Sequence, residues 1–151
     1  MNQELNELLE TAIYKEIASE ALYIAGQKST DDPGARSLMK ELAEDEFRHS
    51  QMIKGLKESA WKPVLSLEDR ITNLMISDYI TAPEKLEAAS LQDTLAFALK
   101  REQQSVQFYS RMMGLFHDED ARYLCRRLIR EELKHKLKLE RLYDDLFLGE
   151  N

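Results

Sequence analysis

The chain has one cysteine, Cys125, with three prolines and five glycines in 151 residues. A lone cysteine excludes an intramolecular disulfide. It also excludes any site built on paired thiolates, whether a zinc site or a rubredoxin-type iron centre. So few helix breakers leave room for long helices. No stretch approaches the roughly 18 apolar residues that a membrane-spanning helix needs. The opening Met-Asn-Gln-Glu-Leu lacks the basic, apolar and small-residue regions of a secretion signal, so a reducing, cytoplasmic setting is expected. Positive charge is in deficit: 21 Lys and Arg face 28 Asp and Glu, for a net charge of −7. That deficit argues against sequence-blind nucleic-acid binding and against docking on anionic membranes. The length suits a single domain, 1–151, with a real core.

Four long segments repeat their apolar residues at helical spacing. The first covers about Gln3 to Gln27, with Leu5, Leu9, Ala12, Glu16, Ser19, Tyr23 and Gly26 on one stripe. It ends in the turn-rich run Lys28-Ser-Thr-Asp-Asp-Pro-Gly. The second covers about Pro33 to Glu58, with Asp32 as N-cap and Pro33 at the first helical position. Its stripe is Leu38, Leu42, Glu46, His49, Ile53 and Leu56. The third covers about Ser90 to Leu115, capped by Ser90, with Leu91, Leu95, Ala98, Glu102, Ser105, Tyr109 and Met112 in line. The fourth covers about Asp118 to Phe147, with Ala121, Cys125, Leu128, Glu132, His135, Leu139, Leu142 and Leu146 in line.

The short first and third connections make two antiparallel hairpins, about 3–58 and 90–148. The connection between them, Ser59 to Ala89, is long enough to run the length of a bundle and return the chain. It holds Trp61, expected to pack against the bundle, and a possible short helix from Leu67 to Ile76. The expected fold is therefore an all-α four-helix bundle with a long crossover.

The two hairpins are copies of one another. Sliding the chain by 86 residues without a gap matches 14 of the 52 positions from 5 to 56. Leucines alone would match by accident in amphipathic helices. Here the polar residues of the stripes match as well: Glu16 with Glu102, Ser19 with Ser105, Tyr23 with Tyr109, Glu46 with Glu132, and His49 with His135.

Those matched residues carry chemistry. A Glu and a His three apart leave a helix on the same face, so Glu46 and His49, and Glu132 and His135, both point inward. With Glu16 and Glu102 they place four carboxylates and two imidazoles at the bundle centre. Four unpaired anions in an apolar interior are prohibitive, on the order of tens of kcal/mol per ion in the Born limit. Two divalent cations cancel four carboxylates, and neutral imidazoles complete the ligand set. Mostly oxygen donors with one nitrogen per metal suit iron or manganese better than a thiolate-seeking ion.

A Glu on each of two helices, with Glu-x-x-His on each of the other two, is the ligand pattern of carboxylate-bridged two-metal bundles. On these residues the sequence resembles the ferritin-like superfamily, and most of all rubrerythrin-like diiron proteins, from about residue 5 to 147. The resemblance implies that Glu16 and Glu102 are terminal carboxylates, that Glu46 and Glu132 bridge two iron ions, and that His49 and His135 each cap one. Manganese or a mixed pair is the alternative loading. Histidine ligands usually give their second N–H to a carboxylate, so Asp45 is expected to serve His135 and Glu131 to serve His49. Tyr23 and Tyr109, two turns beyond Glu16 and Glu102, are expected to reach the terminal carboxylate of the facing helix, with plain core packing as the alternative.

Rubrerythrins carry one more carboxylate three residues past the position of Glu102. Here that residue is Ser105, and Glu20 is the candidate replacement. A rubredoxin module is also missing, so the implied peroxide or dioxygen reduction needs electrons from a separate donor, such as a rubredoxin-like protein. The resemblance further implies a homodimer. Iron oxidation for storage and a non-enzymatic metal-binding role stay open. Cys125, Met39, Met52, Met112 and Met113 read as core or edge filler. His117 reads as surface, and Arg126, Arg127 and Arg130 as an ion-pairing strip.

Overall fold

The computed structural model describes residues 3–58 and 90–148, which form four long α-helices and no strand. Helix α1 spans Gln3–Ser29, α2 Pro33–Lys57, α3 Leu91–Met113 and α4 Glu119–Tyr143. A π-helical turn, Asp144–Leu148, follows α4. The crossover Ser59–Ala89, with Trp61 and the possible helix from Leu67 to Ile76, lies outside the described residues.

Three helices begin in the same way. The side chains of Asp32, Ser90 and Asp118 accept hydrogen bonds from the backbone N–H groups of Ala35, Asp93 and Ala121 at 2.8, 3.1 and 2.9 Å. Each bond satisfies an N–H that has no partner inside its helix. Pro33 follows Asp32 at a position where a missing N–H costs nothing.

Contacts at both ends fix the hairpin directions. Lys57 reaches Glu10 at 2.7 Å, while Arg36 reaches the Gln27 carbonyl at 3.4 Å, so α1 and α2 are antiparallel. Gln92 reaches the Tyr143 hydroxyl at 2.9 Å and Arg122 the Met113 carbonyl at 3.1 Å, so α3 and α4 are antiparallel too. The hairpins then join through the α1–α3 and α2–α4 faces, across which the polar centre is built.

Apolar side chains close that centre above and below. One cluster gathers Leu5, Leu9, Ile53, Phe108, Leu115 and Leu128, among others. The other gathers Leu22, Leu42, Leu95 and Leu139 around Met39. Fully burying a leucine contributes about 1.5–3 kcal/mol, so these layers hold the bundle shut around its charges. The inward stripes read from the sequence are buried along most of their length. Leu146 is the exception, 38% exposed. It sits in the π-helical turn, whose wider pitch rotates the register away from the α-helical stripe. Phe147 packs on the core there instead.

Candidate metal centre

The fold brings Glu16, Glu46, His49, Glu102, Glu132 and His135 together at mid-bundle, each at most 2% exposed. Their ligand atoms form two overlapping sets. Glu16, Glu46, His49 and Glu132 offer one atom each, all within 4.8 Å of one another, and so do Glu46, Glu102, Glu132 and His135. Glu46 and Glu132 belong to both sets. His49 Nδ1 lies 3.2 Å from Glu132 Oε1 and 3.5 Å from both Glu16 Oε2 and Glu46 Oε1. His135 Nδ1 lies 3.2 Å from Glu46 Oε1, 3.4 Å from Glu132 Oε1 and 3.6 Å from Glu102 Oε1. The two rings are stacked, with centroids 5.8 Å apart.

Four of the six groups, Glu16, Glu102, His49 and His135, also pair with a residue outside the cluster. His49 Nε2 pairs with Glu131 Oε1 at 3.0 Å and His135 Nε2 with Asp45 Oδ2 at 2.9 Å, each across to the other hairpin. The Tyr23 hydroxyl donates to Glu102 Oε1 and the Tyr109 hydroxyl to Glu16 Oε1. Arg48 ties Asp45 to Glu131 through contacts of 2.5 and 3.3 Å. Arg127 adds a contact to Glu131 at 2.9 Å and Arg126 pairs with Glu119. Glu20 joins neither ligand set and stays half-buried. As the residue four after Glu16, it sits one helical turn further along α1, above the level of the cluster. Ser105 turns its hydroxyl back to the Arg101 carbonyl at 2.9 Å. His117 is exposed, and burial pushes the Cys125 thiol up to about 12, away from thiolate chemistry.

Eight buried side-chain atoms have no hydrogen-bond partner among the described residues. They are Glu16 Oε2, Glu102 Oε2, both oxygens of Glu46 and of Glu132, and Nδ1 of His49 and of His135. An unpaired buried acceptor costs about 1–3 kcal/mol, more if charged, so this concentration calls for a partner. Two metal ions fit the pattern. Each terminal carboxylate has one oxygen left, each central carboxylate has two, and each imidazole has its inner nitrogen. The donor set of oxygens and one nitrogen per ion excludes no hard or borderline divalent metal and favours none that seeks sulfur.

The sequence reading overlooked one residue. Lys15, on the edge of the α1 stripe, is 2% exposed, and its Nζ lies 3.4 Å from Glu16 Oε1 and 3.9 Å from Glu132 Oε2. It also sits 5.1 Å from the centre of the Tyr109 ring. Burial favours its neutral form, but the carboxylates of Glu16 and Glu132 outweigh burial and raise its pKa, so it stays a cation. With all four carboxylates ionised, the ammonium leaves the cluster three negative charges, which two divalent ions alone would overshoot. The 86-residue offset carried the signal, since Lys15 aligns with Arg101 and both are buried basic residues.

The electrostatics split the two terminal glutamates. Burial pushes Glu16 up, but the Lys15 ammonium overrides it and holds the carboxyl at about 2. Burial and the Glu132 charge push Glu102 up to about 7, against the pull of His135. Burial and three neighbouring carboxylates, Glu132 first, drive Glu46 well above the usual carboxylate range. Burial acts the same way on Glu132, but the close His135 and His49 rings and the Lys15 ammonium reverse it and hold it well below that range. Burial would lower both histidines; the surrounding carboxylates override it, raising His49 to about 12 and His135 further still. Six ionisable groups that shift one another within one buried volume mark this cluster as a candidate functional site.

A family model described as Rubrerythrin matches residues 7–143. No curated protein matches the sequence. Among solved structures, a two-domain protein from Anabaena variabilis with DJ-1/ThiJ/PfpI-like and ferritin-like domains superposes with a TM-score of 0.71 at 16% identity. The match covers 99% of this chain and 42% of that one, so the likeness spans less than half of the larger protein.

Proposed function

The chain belongs to the rubrerythrin family, within the ferritin-like superfamily, and from that premise we propose a non-haem diiron oxidoreductase that reduces hydrogen peroxide or dioxygen with electrons from a separate donor. The observation that carries the reading is the set of eight partnerless atoms, shared between two overlapping ligand groups. In this reading Glu16, Glu46, His49 and Glu132 would hold one iron, and Glu46, Glu102, Glu132 and His135 the other. A bound ferrous pair would supply the two electrons that, with two protons, convert a peroxide to two waters without releasing a radical.

The protein's own groups prepare this chemistry. Tyr23 and Tyr109 each tie up one oxygen of a terminal carboxylate, leaving the other free to face inward. Asp45 and Glu131 hold the outer ring nitrogens, which orients both imidazoles with Nδ1 toward the centre and raises their basicity. The leucine layers on both sides keep bulk water out. These 151 residues hold one cysteine, and it is buried, so the electrons in this reading come from outside the bundle. The acting form is a homodimer in the cytoplasm.

Rapid mixing of the ferrous protein with peroxide tests the reading. Oxidation should be much faster than that of free ferrous iron, at two irons per chain by elemental analysis. Equal rates would end the peroxidase assignment. A 12-mer or 24-mer by light scattering, with iron accumulating beyond two per chain, would instead assign iron storage.

A further inference from the structure

The two ligand sets are built from the same residue types, and the Lys15 ammonium pairs with Glu16, the terminal glutamate of the His49 set. Among the described residues, the ion pairs of Lys15 within 4.0 Å are with Glu16 and Glu132. Glu16 belongs to the His49 set alone, and Glu132 to both. In hairpin two the aligned residue is Arg101. Its guanidinium donates to Ser19 Oγ at 3.2 and 3.3 Å and to the Lys15 carbonyl at 3.4 Å, which anchors it against α1. The ammonium is 2% exposed, so water screens it little.

We propose that Lys15 makes the two metal positions unequal, so that the position built on Glu16 and His49 binds its cation more weakly and fills second. This inference rests on the two-metal reading. A buried ammonium repels a divalent ion, and the repulsion falls with distance. With an effective dielectric constant near 20, moving a divalent ion from about 5 to about 8 Å from a unit charge changes its affinity by roughly ten- to a hundredfold. The centre therefore loads in order: the His135 position first, the His49 position second. Lys15 is no ligand in this account, since it acts on the cation through space.

The chain's three histidines make the order directly readable, because two are in the centre and the third, exposed His117, serves as an internal reference. Metal-free, full-length protein labelled with 15N-histidine is titrated with Zn(II) and followed by NMR. The His135 Nδ1 resonance should move within the first equivalent and that of His49 within the second. In Lys15→Met the His49 midpoint should tighten by tenfold or more and approach that of His135. Lys15→Arg, which keeps the charge, should preserve the wild-type order. Simultaneous movement in the wild type, or His49 moving first, overturns the proposal without need of any variant. An unchanged gap in Lys15→Met also overturns it. If neither inner nitrogen responds to Zn(II), the two-metal reading itself fails, which is a different result from a changed order.

Discussion

Helices α1 and α3 present the same inward face and different outward ones. Inside, Glu16 and Glu102, Ser19 and Ser105, and Tyr23 and Tyr109 are identical pairs, all buried. Outside, α1 exposes Tyr14, Ile17 and Ile24, where the aligned residues of α3 are Lys100, Gln103 and Ser110. A set of metal ligands would tolerate little change of residue type, whereas a solvent-facing position is constrained mainly by solubility. Packing layers fall between these extremes. On hairpin one Gly26 lets Met39 approach so closely that an added Cβ would meet its sulfur at 3.0 Å. At the aligned positions hairpin two has Met112 and Cys125, so the bulky and the small residue have exchanged helices. Volume is conserved where identity is not, as expected of a close-packed interior.

The largest test of this symmetry removes what both halves share. Glu46→Leu with Glu132→Leu should abolish metal binding at both positions, taking elemental analysis from two metals per chain to none. A variant that still binds metal would show that the central pair does not bridge.

The outer partners of the histidines probe the halves separately. Glu131→Leu should weaken the cation of the His49 set by about ten- to a hundredfold, and Asp45→Leu that of the His135 set by a similar factor. Competition titration against a chelator reads both. Equal loss at both positions in either single variant would mean that the paired hydrogen bonds do not act locally.

The smallest expected effect, and the sharpest comparison, concerns Glu16 and Glu102 in the metal-free protein. Glu16 titrates near 2 when folded. Its contribution to stability is present above the ordinary value of about 4.5 and is lost as pH falls toward 2. Glu102 titrates near 7 when folded. Its ionised form opposes folding above pH 7, and that penalty disappears as pH falls toward about 4.5. At pH 8, Glu102→Gln should therefore stabilise the metal-free chain and Glu16→Gln should destabilise it, each by about 1–2 kcal/mol in urea unfolding. Shifts of the same sign would contradict the role given to Lys15.

Much of this was legible in the linear chain. Four helices follow from apolar spacing and from capping residues such as Asp32 and Ser90, because helix formation is governed by neighbours three and four apart. The six converging side chains follow from the 86-residue offset, because duplicated chemistry leaves duplicated polar residues on faces that should be apolar. Leu146 was misplaced because a π-helical turn shifts the register without any local signature such as proline. Glu20 was drawn toward the site by helical spacing, which fixes direction around the axis but says less about height along the bundle.

Sequence alone thus determined the fold class, the pseudo-two-fold relation and the six polar side chains that gather at mid-bundle, since all of these depend on periodicity and repetition within the chain. Only the tertiary structure decided that a lysine is buried among them and that Glu20 stays outside both ligand sets. Those choices depend on distances between helices, and an ammonium on a flexible stem can reach water or the core from the same position on a helix edge.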